Sequence, residues 1–332
     1  MDAGKESMRD DNKNGAEHTS AGKHGFGSMF RRDPVSKLAE LLDIKLDFRQ
    51  SFEQDVAELS DLTSKSVNGE MFNKFGDTIE DQQHIHRDEE VAKAYKPLKL
   101  RTKPAFGVLT MAYAEEHLSR LLSIINLYTG KGFVYSGMVV KLKQPLYPNE
   151  SIVFNIEKSF RADKETGGIN INVSGTNKDG EKVVDILSLG LRYKRHEPGK
   201  GKFPVCPSSE EVDMIHHRRI DRAGLDSYFE CLDEHKRYEI PSPLVSATAP
   251  AAISKFSREK AGELEGIYMS AVFEYYNDAR IGDFKTFIEF MGTKEKRGLY
   301  NHTFLTWCFQ EEMPMKPIFS AELVCRSPTK IE

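Results

Sequence analysis

The 332-residue sequence has no surplus of one charge, no long apolar run and only four cysteines, and each shortage excludes a class of protein. Lysine and arginine number 47 against 51 aspartates and glutamates, a formal net charge of −4. No global field therefore draws the chain to nucleic acid or to an anionic membrane, which leaves only local basic patches for such contacts. No stretch approaches the ~18 to 20 apolar residues of a membrane span. The opening MDAGKESMRDDNKNGAEHTSAGKHGFGS lacks the apolar core of a secretory signal. Cys206, Cys231, Cys308 and Cys325 form no C-x-x-C pair, which removes zinc-ribbon and thioredoxin-like readings and suggests free or buried thiols in a reducing compartment. A cytoplasmic, soluble protein of about two domains is expected, at roughly 150 residues per domain.

What is present is ordered in a particular way. Residues 1–33 are rich in Gly, Ser, Asn, Asp and Lys and cannot offset their ordering entropy, so a disordered tail is expected. Val35, Leu38, Leu41 and Leu42 recur at helical spacing. Leu46 to Phe52 reads as a short strand, leading into a helix marked by Phe52, Val56, Leu59 and Leu62. Ser64 to Glu80, polar and containing glycine, reads as a loop. The longest apolar-periodic helix runs from about Gly107 to Leu127, after which the period switches to alternation. Tyr135–Leu142, Ser151–Phe160, Gly168–Asn177 and Lys182–Lys194 read as strands separated by Pro, Asn and Gly turns. A long helix followed by an antiparallel meander suggests a curved sheet wrapped around that helix.

The Pro-, Gly- and Ser-rich stretch 196–211 is the best linker, and beyond it the order of elements recurs. Helical stretches over 225–235 and 241–256 precede strand candidates at Tyr268–Tyr276, Phe284–Gly292, Leu299–Gln310 and Ile318–Arg326. Pro104-Ala-Phe-Gly-Val echoes Pro241-Ser-Pro-Leu-Val at the start of each long helix, and Pro148-Asn-Glu echoes Ile281-Gly-Asp. The expected organisation is a tail (1–33), a first repeat (34–195), a linker (196–211) and a second repeat (212–332).

The chemistry-bearing segment is Asp81-Gln-Gln-His-Ile-His86, followed some twenty residues later by Phe106-Gly107 at the head of the long helix. Aspartate orients or deprotonates water, and histidine titrates near neutrality and relays a proton. A helix starting at Gly107 presents a free N–H and the positive end of its dipole, suited to polarising a carbonyl oxygen. Glycine lets a substrate approach that N–H closely. In the structural alternative Asp81 caps a helix beginning near Arg87 and His86 is a buried structural residue.

Asp81-Gln-Gln-His-Ile-His86 resembles the D-x-N-P-[LIV]-H signature of the MaoC-like (R)-specific enoyl-CoA hydratases. Asp88-Glu-Glu-Val-Ala is similar to the D-x-E-x-A that follows it, and Phe106-Gly107-Val108-Leu109 to the family's H-G-M-L. Val140-Lys-Leu-Lys-Gln-Pro-Leu-Tyr-Pro-Asn-Glu resembles V-x-F-x-x-P-V-x-P-G-D. The resemblance covers about residues 46–194 and is weak in the second half. It implies an α+β double hot-dog fold and a hydratase or dehydratase acting across the 2,3 bond of an acyl thioester. Asp81 and His86 would hold the water, and Gly107 N–H would bind the thioester oxygen, with Gln83 and Phe106 lining the substrate site. It implies no metal and no cofactor beyond the coenzyme A or carrier-protein phosphopantetheine of the substrate. An acyl carrier protein and a second copy of the chain are the partners left open. Gln83, His84 and Phe106 depart from the family pattern, as does the Ser64–Glu80 insert, and motivate an alternative non-catalytic acyl-thioester-binding or scaffold protein. The second half lacks a D-x4-H and resembles the silent repeat of double hot-dog hydratases.

Three other features have blander readings. His84-Ile-His86 has no third ligand nearby for a metal. His216-His217-Arg218-Arg219 reads as a solvated basic surface, with contact to coenzyme A phosphates as the alternative. Phe273, Tyr275, Tyr276, Phe287, Phe290, Trp307 and Phe309 alternate as a sheet core does rather than as a nucleic-acid stacking platform.

Overall fold

Apolar side chains on nearly every face of Gly107–Thr129 make this 23-residue helix (α5) a core element: Leu109, Leu121 and Ile125 are wholly buried. Each such side chain contributes about 1.5 to 3 kcal/mol by burial. The helix stops at Gly130, whose φ of 62° is the left-handed conformation glycine adopts without strain, and whose N–H closes on Asn126 O at 3.0 Å. A computed structural model describes residues 34–60, 69–163, 168–192, 195, 197–232, 240–262 and 266–331. The expected tail at 1–33 lies outside them.

Strands β1 (Val134–Leu142), β2 (Val153–Asp163), β3 (Gly168–Thr176) and β4 (Lys182–Arg192) follow α5 and pack on it in the spatial order β2-β3-β4-β1. The second half supplies β5 (Met214–Ile220), α6 (Arg222–Leu232), α7 (Ser242–Ser246), α8 (Thr248–Ala261), β6 (Ile267–Tyr275), β7 (Gly282–Lys296), β8 (Leu299–Gln310) and β9 (Pro317–Ser327). Here the spatial order is β6-β9-β8-β7-β5. Antiparallel pairing of β1 with β6, Met138 opposite Phe273 and Val140 opposite Ala271, fuses the halves into one nine-stranded sheet. Outward from that seam the same connectivity occurs twice: β1, β4, β3, β2 on one side and β6, β9, β8, β7 on the other. Strand β5 at the far edge has no counterpart among the described residues of the first half. The second helix is broken at Ala247, because Pro250 has no N–H to offer the Ser246 carbonyl.

Three sequence expectations are corrected. Leu46 to Phe52 is not a strand but the start of helix α2 (Leu46–Ser60): Phe52, Val56 and Leu59 face the core, while Leu46 is 78% exposed. Of the expected Ser64–Glu80 loop, 64–68 lie outside the described residues and Gly69–Ile79 is helix α3, burying Phe72, Phe75, Gly76 and Ile79 at i, i+3, i+4 and i+7. The supposed basic surface His216–Arg219 is most of strand β5. Alternation buries His216 and Arg218 and exposes His217 and Arg219. Within the expected linker, Phe203 is buried, Trp307 Nε1 donates to Pro204 O at 3.3 Å, and Lys202 N donates to Glu274 Oε1 at 2.7 Å. The C-terminal aromatics therefore divide between faces. Phe273 and Tyr275 face the helices, and Trp307, Phe287 and Phe309 lie under the 198–207 segment.

Candidate active site

Asp81 follows directly on the C-terminus of α3, which closes as a Schellman motif. Glu80 N–H bonds to Asp77 O at 3.2 Å and Asp81 N–H to Gly76 O at 3.0 Å. Glu80 takes the left-handed position at φ 60°, and the chain turns through a short 3-10 helix, His84–His86. The helix that follows, α4 (Glu89–Ala94), is capped by Asp88, whose carboxylate accepts from Glu90 N at 2.8 Å and Val91 N at 3.1 Å. Capping therefore does not occupy Asp81. Its Oδ1 accepts from Gln83 N at 3.1 Å, and its carbonyl accepts from Arg87 Nη2 at 2.8 Å.

His86 is 2% exposed, and its Nδ1 lies 2.9 Å from Pro104 O. A carbonyl can only accept, so Nδ1 carries the proton and Nε2 keeps its lone pair. Nε2 is buried and has no protein partner. Burial outweighs the Pro104 hydrogen bond and lowers the His86 pKa to about 4, so the imidazole is neutral at physiological pH.

His86 and Gly107 meet on the wall of a cavity of about 260 Å3, with Thr110, Leu142 and Tyr268 beside them. Gly107 is the first residue of α5, so its N–H has no partner within the helix. A β-carbon there would lie 2.8 Å from Leu142 Cδ1 and 3.2 Å from Tyr268 Cβ, so a side chain at this position would press on two residues of the cavity wall. Lys99, Lys143 and Arg326 also line it, and no carboxylate does. Lys143 Nζ is paired with Asp185 Oδ2 at 3.1 Å, and the start of α5 adds the positive end of a helix dipole, which favours developing negative charge.

Three of the five expected site residues do not line this cavity. Asp81 is 1% exposed, and its charge acts on the nearby Tyr268 hydroxyl and Cys325 thiol; both are pushed up, by burial first and by that charge in part. Gln83 Oε1 accepts from Gly266 N at 3.0 Å, tying the motif to the second half just before β6. Phe106 is core: 1% exposed, its ring centroid is 4.4 Å from that of His86 and 6.2 Å from that of Phe75. Gly76 in α3 makes room for it, since a β-carbon there would meet Phe106 Cζ at 2.5 Å. His84 is exposed while His86 is buried, so the pair does not share a face, and no cluster of three metal-binding side chains occurs among the described residues. Sequence reasoning missed Tyr268 and Arg326, which reach the cavity from the other repeat and carry no local motif.

No model of a protein family matches this sequence, and no curated protein does. Solved structures do. A protein from Chloroflexus aurantiacus J-10-fl described as a MaoC domain dehydratase superposes with a TM-score of 0.58 at 10% identity, over 81% of this chain and 95% of that one. A Mycobacterium tuberculosis protein with a double hotdog fold gives 0.57 at 8% identity, over 80% and 94%. A MaoC-like dehydratase from Phytophthora capsici gives 0.50 at 13% identity, over 79% and 94%. The chain has the double hot-dog fold of the MaoC-like dehydratases. None of the described helices is long and apolar enough to cross a membrane.

The internal symmetry of the double hot-dog predicts a second cavity, and one of about 870 Å3 occupies the quasi-equivalent place. Tyr135 stands there as Tyr268 does in the first cavity, Pro241 as Pro104, and Tyr275 as Leu142. The chemistry differs at the helix start. The Ser242 N–H at the head of α7 donates to Glu115 Oε1 at 3.0 Å, and Leu244, the counterpart of Gly107, has a side chain and an N–H that bonds to Pro241 O at 3.1 Å.

Proposed function

We propose that the protein is a hydratase or dehydratase acting across the 2,3 bond of an acyl thioester. The observation that carries this reading is the His86 imidazole, with its proton fixed on Nδ1 by Pro104 O and its Nε2 buried without a partner, in a residue that lines the same cavity as Gly107. In the hydration direction, Nε2 takes a proton from water as the water oxygen bonds to C3. The C2=C3 electron pair moves toward the thioester carbonyl, whose oxygen gains charge beside Gly107 N–H. The imidazolium then returns the proton to C2, and dehydration runs the same steps in reverse. Asp81, five residues before His86, is the second group this reading assigns to the water. Oxyanion donors of this kind are worth about 2.7 to 4 kcal/mol of barrier. The reaction needs no metal or redox cofactor. Lys99, Lys143 and Arg326 suit the phosphates of coenzyme A or of a carrier protein's phosphopantetheine.

The test is the loss of enoyl-thioester absorbance with crotonyl-CoA and longer analogues. Turnover abolished by His86→Ala and by Asp81→Asn supports the reading, and wild type no faster than Asp81→Asn at every chain length refutes it. One observation favours a second reading, a thioester-binding protein without turnover: Asp81 is not on the cavity wall. That reading requires crotonyl-CoA binding that survives Asp81→Asn combined with His86→Ala.

A further inference from the structure

The Schellman turn that carries Asp81 is built from a residue poorly suited to it. The left-handed position normally goes to glycine, and Glu80 occupies it at φ 60°. Such a conformation persists when its surroundings over-determine it, and two arginines do so from opposite sides. Arg87, in the motif itself, donates to the Asp81 carbonyl at 2.8 Å and to Asp77 Oδ1 at 2.7 Å. Arg218 comes from β5 in the other half. Its side chain is 2% exposed, Nη2 donates to Thr78 O at 2.7 Å, Nη1 donates to Leu244 O at 3.1 Å, and Nε stands 3.5 Å from Glu80 Oε1. A guanidinium is suited to this because its donors lie in a fixed planar fork that can hold two carbonyls at once.

We propose that Arg218 is a positioning residue for Asp81: the second repeat, which contributes no D-x4-H of its own, sets the geometry of the first repeat's carboxylate through this buried clamp. The proposal rests on the hydratase reading of Asp81. The clamp also joins two helices, since Leu244 lies in α7 and Thr78 in the last turn of α3. The same α3–second-half contact is reinforced by Thr78 Oγ1 with Ser227 Oγ at 2.9 Å and by Lys74 with Glu230 at 2.7 Å. Those contacts hold the helix, whereas Arg218 reaches from the second half to both Thr78 O and Glu80. His216, two residues earlier on the same strand face, has Nε2 4.0 Å from Glu80 Oε2 and adds no hydrogen bond.

The experiment compares wild type, Arg218→Met, Arg218→Lys and, as a control on the exposed face of the same strand, Arg219→Gln. Each is assayed for kcat and KM with crotonyl-CoA and for amide hydrogen exchange at Asp81 and Gln83. Release of the turn displaces Asp81 by a fraction of its own length, and a misplacement of about 1 Å costs about 100-fold in rate. Arg218→Met should therefore lose about 100-fold in kcat with KM changed less than about threefold, and both amides should exchange faster. Arg218→Lys keeps the charge and loses the fork, so kcat should fall about tenfold; it decides the matter if Arg218→Met does not fold. Arg219→Gln should match wild type. Wild-type kcat in Arg218→Lys, or a kcat loss with unchanged exchange at both amides, overturns the proposal. Absence of turnover in wild type would defeat the hydratase reading alone, because unchanged or accelerated exchange would still decide whether Arg218 holds the turn.

Discussion

Acidification from pH 7 to pH 5 should weaken the fold through His86 in a way that one substitution isolates. An unfolded histidine titrates near 6.5, whereas burial holds His86 at about 4. Between those values the unfolded chain binds a proton that the folded chain refuses. The His86 contribution is therefore fully present above pH 6.5 and is lost as the pH falls toward 4. Linkage gives a loss of about 2 kcal/mol between pH 7 and pH 5, and about 3 kcal/mol once both states are protonated. His117 and His216 are also buried and held at about 4 by desolvation, and burial lowers His302 as well, so the wild-type curve alone mixes four contributions. His86→Asn removes one of them. Urea unfolding at pH 7, 6 and 5 at fixed ionic strength should show the stability gap between wild type and His86→Asn shrinking by about 2 kcal/mol. A gap constant to within about 0.5 kcal/mol would mean that His86 is not held neutral by burial.

Gly107→Ala places a methyl against Leu142 and Tyr268 on the cavity wall, so kcat for crotonyl-CoA should fall about 100-fold or more; a rate within about threefold of wild type contradicts the oxyanion role. Beyond Gly107 the apolar seam between the repeats narrows to about 10 Å3 among Met111, Val140, Phe273 and Leu323. Short acyl chains should therefore be preferred, with Met111→Ala moving the optimum to longer ones in a chain-length series; an unchanged optimum refutes the assignment of that seam to the acyl chain. Gly201 lies against the Glu274 carboxylate, which accepts from Lys202 N at 2.7 Å and Tyr276 Oη at 3.1 Å. Gly201→Ala should lower stability by about 1 to 3 kcal/mol in urea unfolding without altering turnover.

The meander of strands was legible because alternation over Val134–Leu142 and Leu299–Gln310 reports local burial on a sheet face. The helix α3 was legible too, in Phe72, Phe75, Gly76 and Ile79, but its polar intervening residues weighted the reading toward a loop. At the site, His86 and Gly107 stood out because their chemistry is local: one needs an imidazole, the other a helix start with no side chain. Gln83 and Phe106 could not be placed, since their partners, Gly266 and Phe75, lie 183 and 31 positions away.

The sequence by itself determined the elements that depend on near neighbours: the long helix ended by Gly130, the antiparallel strands, the D-x4-H turn, and the glycine at the head of the long helix. Tertiary structure alone decided the rest. It drew a basic tetrapeptide into an edge strand and buried Arg218 against Thr78 and Leu244. It set Phe106 against His86, and it placed Glu115 at the Ser242 N–H. The physical reason is range. Periodicity and capping are fixed within a few residues, whereas buried charges and cavity walls are fixed by which distant segments the β1–β6 seam brings together.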